Sequence, residues 1–146
     1  MTDVTRLDDQ LCFALHAASR AMTGAYAPLL DALDVTYPQY LVLLILWEED
    51  GVRVSRIGER LHLDSATLTP LLKRLESRGV VERRRSTEDE RVVEIFLTAK
   101  GKRLRTKASE IGKEMFCKMQ ISLDDLGRLR EELKALTRRL QGEDAA

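Results

Sequence analysis

Two sulfhydryls are the most reactive groups this chain offers. Cys12 and Cys117 are its only cysteines, and more than a hundred residues separate them. A thiolate attacks peroxides and disulfides, so a cysteine does redox chemistry where its surroundings favour the charged form. Once oxidised to a sulfenic acid, it condenses with an accessible thiol to form a disulfide. Taken singly, each cysteine reads better as a small buried hydrophobe. His16 lies one helical turn after Cys12. Protonated, it would favour the thiolate; neutral and packed, it would do nothing. Two histidines and two scattered cysteines do not make a metal-ligand spacing, so no metal is expected. The chain has no phosphate-binding glycine loop and no Ser/His/Asp set with positional logic, and no cofactor is expected either.

The 146 residues are 44% hydrophobic and 33% charged, enough to bury a core and stay in solution as one domain over 1–146, or as one domain plus an oligomerisation element. Asp3, Asp8 and Asp9 put acid where a secretory leader needs base. The longest apolar run, Tyr40 to Trp47, is far short of the ~20 residues a membrane helix needs. A cytoplasmic protein without membrane attachment is expected, in a compartment that keeps thiols reduced. Net charge is zero but unevenly spread. Residues 1–50 hold two basic and eight acidic side chains, and residues 51–107 hold fifteen basic and eight acidic. Basic charge gathered in one segment points to a polyanion partner for that segment.

The elements that would position these groups follow from periodicity. Leu7, Leu11, Leu15, Ala18 and Met22 recur at helical spacing, predicting a first helix from Arg6 to Leu33, capped by Thr5 with Asp8 and bent at Pro28. A connector at Val35–Pro38 leads to a second helix, Gln39–Glu48, which is apolar nearly all round and belongs at the centre of the core. Gly51–Val54 is extended. Ser55 is expected to cap a third helix, Arg56–Leu61. After a turn at His62-Leu63, Asp64 is a good N-cap for a fourth helix that Gly79 ends. Pro70 fits that helix awkwardly: either the helix kinks there or it starts nearer Thr69 and the Asp64 cap is wrong. Val80–Arg85 and Val92–Leu97 read as two strands around a polar turn. Thr98 caps a fifth helix reaching about Cys117. Ser122 with Asp125 caps a sixth, whose Leu126, Leu129, Leu133, Leu136 and Leu140 form a seam about two heptads long.

The order helix, turn, helix, strand, turn, strand is that of a winged helix-turn-helix. The fold class is thus mainly α with a small β-hairpin wing. The major groove of DNA admits one helix, and a two-stranded ribbon can flank it. The fourth helix offers Asp64, Ser65, Thr67 and Thr69 near its start and Lys73, Arg74 and Arg78 later. The first set suits base edges and phosphates at close range, the second phosphates or guanine. The wing carries Arg83, Arg84 and Arg85 on one strand, then Asp89 and Arg91 at its tip, where an arginine can enter a narrow minor groove. Palindromic DNA sites mirror protein two-fold symmetry, so a homodimer on a palindromic operator is expected. Residues 6–36 and 99–141, from the two termini, would supply the dimerisation helices around the DNA-binding region 37–98.

At this level of detail the chain resembles the MarR family of regulators, and within it the branch that senses organic hydroperoxides. Asp89-Glu90-Arg91 and Leu97-Thr98-Ala99-Lys100-Gly101 are general to the family. The segment from Leu63 to Glu76 is closer to the peroxide-sensing branch. More specific still are Leu11-Cys12-Phe13-Ala14-Leu15, Tyr26-Ala27-Pro28-Leu29-Leu30 and Thr36-Tyr37-Pro38-Gln39-Tyr40. The resemblance implies that Cys12 is the peroxide-reactive thiol, that Tyr26 and Tyr37 hydrogen-bond it, and that Cys117 resolves its oxidised form. Where relatives often have a tyrosine, this chain has His16.

The helix dipole should help Cys12 little, because a helix capped at Thr5 places it beyond the first turn. Cys12 and Tyr26 are ~21 Å apart along a straight helix, so tyrosines that hold the thiol would come from a second subunit. A disulfide needs Cα atoms within about 7 Å, so for Cys12 to bond Cys117 either the two ends of one fold meet or the subunits cross, and the bond between subunits is the expectation carried forward. The leading reading is a dimeric repressor, not an enzyme, that leaves DNA when an organic hydroperoxide oxidises Cys12. A second reading from the same fold is a regulator that binds a small aromatic acid, with Cys12 merely buried. A third is a two-cysteine thiol peroxidase, which would have no use for a recognition helix and wing.

Overall fold

The computed structural model describes residues 3–143, and its helices follow the apolar periodicities of the sequence. In chain order the elements are α1 (Leu11–Leu30), α2 (Tyr37–Glu48), β1 (Val52–Arg53), α3 (Val54–Leu61), α4 (Ser65–Ser77), β2 (Val81–Arg85), β3 (Val93–Leu97), α5 (Ala99–Met119) and α6 (Leu123–Leu140). The chain divides into two compact units, Met1–Ile111 and Gly112–Ala146, with the boundary inside α5.

The start of the chain departs from the expected single helix. A short 3-10 turn, Leu7–Asp9, precedes α1, and Gln10 between them is extended. Thr5 does not cap. Its hydroxyl and backbone N–H both donate to the Asp3 carboxylate, which removes it from competition for helix amides. Gln10 holds the break open, its side-chain amide donating to Val4 O at 2.6 Å and Arg6 O at 3.2 Å. At the other end, Pro28 lacks the N–H for an i−4 bond. The α-helix ends at Leu30 and tightens into a second 3-10 turn, Asp31–Leu33.

α2 begins two residues earlier than periodicity suggested. Thr36 accepts from Gln39 N–H at 3.4 Å while Gln39 Oε1 accepts from Thr36 N–H at 2.9 Å, a reciprocal capping box. Its Val42, Leu43 and Leu46 are fully buried and meet Ile57 of α3, Leu68, Leu72 and Leu75 of α4, and Ile95 of β3 in one core cluster. Each such side chain contributes about 1.5–3 kcal/mol on leaving water.

α3 starts at Val54, so Ser55 lies in its first turn and is not its cap. Arg53 occupies the N-cap position and supplies no side-chain acceptor. The doubt over α4 resolves in favour of Asp64: its Oδ1 accepts from Thr67 N–H at 2.8 Å, and the helix runs through Pro70 to Ser77. β2 and β3 pair antiparallel from Val81↔Leu97 to Arg85↔Val93, and β1 adds a third strand through Val52↔Ile95. Two residues are too few to show alternation, which is why β1 read only as extended chain. Gly101 at the base of α5 is obligatory, since a Cβ there would stand 2.2 Å from Val80 O. In the second unit, α6 is capped by Ser122, and its Leu129, Leu133 and Leu140 are exposed. No single described helix is long and apolar enough to cross a membrane.

Candidate functional site

The late start of α1 changes the setting of the first thiol. With Gln10 as N-cap, Cys12 is the second helical residue, inside the first turn. There the backbone amides lack intrahelical acceptors and the macrodipole stabilises negative charge. The sequence placed Cys12 beyond that turn because Thr5 looked like the cap. Cys12 is exposed and unbridged, and its Sγ donates weakly to Gln10 Oε1 at 4.0 Å. His16 is also exposed, on the next turn of the same helix. Cys117 is exposed and unbridged on the part of α5 that belongs to the second unit.

The structure brings Tyr26 and Tyr37 together, with ring centroids 5.2 Å apart. It adds a residue that the sequence reading missed. Tyr40 packs 5.6 Å from Tyr26 and 6.4 Å from Tyr37, and touches Trp47 edge-on. Its signal was available: Tyr37 and Tyr40 are three apart on one helix and must share a face. Burial raises all three phenol pKa values. Neighbouring phenols push those of Tyr26 and Tyr40 further the same way. The rings therefore stay protonated and can donate hydrogen bonds. They do not meet Cys12 of their own chain, because α1 is one uninterrupted helix from Leu11 to Leu30 and sets Cys12 and Tyr26 ~21 Å apart.

The second surface is formed by α3, α4 and the strands. Ser65, Thr67, Lys73 and Arg74 of α4 are exposed, while Thr69 is half-buried. Asp64 is committed to its cap; the Thr67 amide holds its carboxyl below the usual range. At the turn between β2 and β3, Asp89 accepts from Arg91 through the backbone N–H at 3.0 Å, Nε at 3.1 Å and Nη2 at 3.3 Å. The Arg91 side chain is 91% exposed, yet its guanidinium is aimed by this fork. Arg84, expected to face DNA, has a side chain that is 58% exposed and also makes contacts within the sheet. It pairs with Glu82 and lies 4.2 Å above the Phe96 ring.

A polar link that periodicity could not reveal joins the two surfaces inside the first unit. Arg78, the residue that ends α4, donates through Nη1 to Asp34 O and, at 3.3 Å, to Gln39 Oε1. Gln39 is 1% exposed and is also half of the α2 capping box, two residues from Tyr37. Lys100 of α5 donates to Arg78 O at 3.0 Å. The end of the fourth helix is thus tied to the turn that leads into Tyr37 and to the first turn of α2. Among the described residues, no group of three or more His, Cys, Asp or Glu side chains could hold a metal ion.

A family model for the MarR family matches residues 35–93. The organic hydroperoxide resistance transcriptional regulator of Bacillus subtilis (strain 168) is 50% identical over 92% of this chain and 91% of its own length. Among solved structures, reduced AbfR bound to DNA is 39% identical with a TM-score of 0.78, covering 92% of this chain and 93% of that one. Disulfide-formed AbfR is likewise 39% identical, with a TM-score of 0.68, covering 90% and 93%. AbfR is a protein of Staphylococcus epidermidis.

Proposed function

Because this chain belongs to the MarR family, we propose that it is a dimeric, cytoplasmic transcriptional repressor that grips DNA when reduced and releases it when an organic hydroperoxide oxidises Cys12. The observation that carries this reading is the placement of an exposed Cys12 in the first turn of α1, in a chain that also presents a recognition helix and wing. The similarity to a hydroperoxide-resistance regulator and to DNA-bound AbfR supports it.

In this reading the Cys12 thiolate attacks one peroxide oxygen. The O–O bond breaks, the sulfur becomes a sulfenic acid, and the other oxygen leaves as an alcohol after taking up a proton. Cys117 of the second subunit then attacks the sulfenic sulfur, forming the disulfide and releasing water. A thiol reductant of the cell reverses that bond. Tyr26 and Tyr37 of the second subunit donate hydrogen bonds to the Cys12 sulfur, since those of the same chain lie too far along α1. His16 stands one turn away on the same exposed face.

On the DNA side, Ser65, Thr67 and Thr69 read bases and phosphates at short range, and Lys73 and Arg74 contact the backbone. Asp89 aims Arg91 at the minor groove. Displacing the turn that leads into Tyr37 reaches α4 through Gln39, Asp34 and Arg78. The test is operator binding by wild type and Cys12→Ser before and after cumene hydroperoxide, at fixed salt. The wild type should lose most of its binding and Cys12→Ser should keep it. A serine variant that releases DNA like the wild type would overturn the proposal.

A further inference from the structure

Between the start of α3 and the wing lies a cleft of about 290 Å3, lined among others by Arg53, Ser55, Arg83 and Arg91. Three of those residues are arginines, and they differ in what they already hold. Arg91 is paired with Asp89. Arg53 adds a smaller charge effect on the Asp89 carboxylate, whose low pKa comes chiefly from Arg91. The Arg83 guanidinium has no hydrogen-bond or ion-pair partner among the described residues.

Arg83 is unusual in its placement. It stands opposite Ile95 in the β2–β3 ladder, and Ile95 is fully buried. Side chains alternate along a strand, so Arg83 shares the core-facing side with Val81 and sits half-buried there. Its neighbour Arg84 falls on the other side, against Glu82 and Phe96. A partly desolvated cation without a counter-charge is costly, and an arriving anion relieves that cost. The cleft adjoins the wing tip and the helix-turn-helix, so it is continuous with the surface assigned to DNA.

We propose that this cleft seats one backbone phosphate of the operator in each subunit, held by Arg83 and Arg53 with the Ser55 hydroxyl. The inference rests on the DNA-binding reading above and adds a contact to it. Among the three adjacent arginines of β2, it assigns the phosphate contact to Arg83. The phosphate bridges α3 and the wing, and so fixes the wing's angle to the recognition helix.

The test is operator affinity against salt concentration for wild type, Arg83→Met, Arg53→Met, the double variant and Arg84→Met, all reduced, with thermal melting of each. Neutralising one phosphate contributes about 0.9 to the slope of log K against log salt. Losing two clefts per dimer should flatten the slope by about two and weaken binding roughly tenfold or more. Because both arginines serve one phosphate, the double variant should flatten the slope no further than Arg83→Met alone. Arg84→Met should leave the slope unchanged, and Arg83→Met should melt no lower than wild type, since no partner is orphaned. A wild-type slope in Arg83→Met, an equal loss in Arg84→Met, or a lower melting temperature for Arg83→Met would each overturn the assignment. Failure of the wild type itself to bind DNA would instead overturn the reading on which it rests.

Discussion

Cys12 shows how much depends on a side chain two positions away. Gln10 interrupts the N-terminal helix, and that interruption puts a thiol among unpaired amides that a continuous helix would have used. The helix-start logic in the sequence was sound, but Thr5 had a better acceptor nearby in Asp3. The tyrosines follow the same rule of local context. The chain has only three, Tyr26, Tyr37 and Tyr40, and all three pack together. Burial raises their pKa values, so the fold favours the neutral phenols. That contribution to stability is fully present below the unfolded value of about 10 and is lost as pH climbs through the raised folded values. Ultraviolet titration should therefore show the phenols of the folded protein ionising late, above pH 10, with melting temperature falling over the same window. Half-ionisation at or below pH 10 with no loss of stability would contradict the packing.

At the scale of elements, the joint between α2 and α4 is the feature with consequences. Arg78 ends α4 and reaches back to Asp34 and to the buried Gln39. Gln39 in turn caps the helix that displays Tyr37 and Tyr40. Replacing Arg78 by Met removes these bonds, keeps much of the apolar stem, and leaves Gln39 with one donor rather than two. Peroxide should then oxidise Cys12 at the wild-type rate, measured by loss of free thiol, while the resulting loss of operator affinity shrinks severalfold. An undiminished release of DNA by Arg78→Met would remove this route from the mechanism. Periodicity located α2 and α4 well, because Leu43, Leu46, Leu68 and Leu72 had to face one core. Arg78 read from sequence as one more base for DNA, and its partners, 39 and 44 residues away, were not foreseen.

At the scale of the whole molecule, the apolar residues left on the surface are where the chain is incomplete. Leu7 and Leu11 near the start and Leu129, Leu133 and Leu140 near the end are exposed. Such patches at both termini suit a second copy, which in the proposed mechanism also supplies tyrosines and a second thiol to Cys12. Peroxide treatment followed by non-reducing electrophoresis should convert the wild type to a species of twice the chain mass, reversed by dithiol. Cys117→Ser should stay at the mass of one chain while still losing free thiol at Cys12. A wild type that remains at single-chain mass would rule out the bond between subunits.

What the residues determined unaided was the order and type of nearly every element and the two thiols worth watching. Repeating apolar spacing, caps such as Asp64 and Thr98, and the resemblance around Cys12, Tyr26 and Tyr37 are all local signals. Tertiary structure alone decided which arginines are already spent. Arg83 and Arg84 are adjacent and chemically identical, yet one is bound to Glu82 and Phe96 and the other is uncommitted. Strand alternation puts Arg84 on the face of Glu82 two residues away, a relation that spacing alone can suggest. The Phe96 ring comes from the neighbouring strand, and spacing along the chain cannot encode it, because it is set by what lies across the fold.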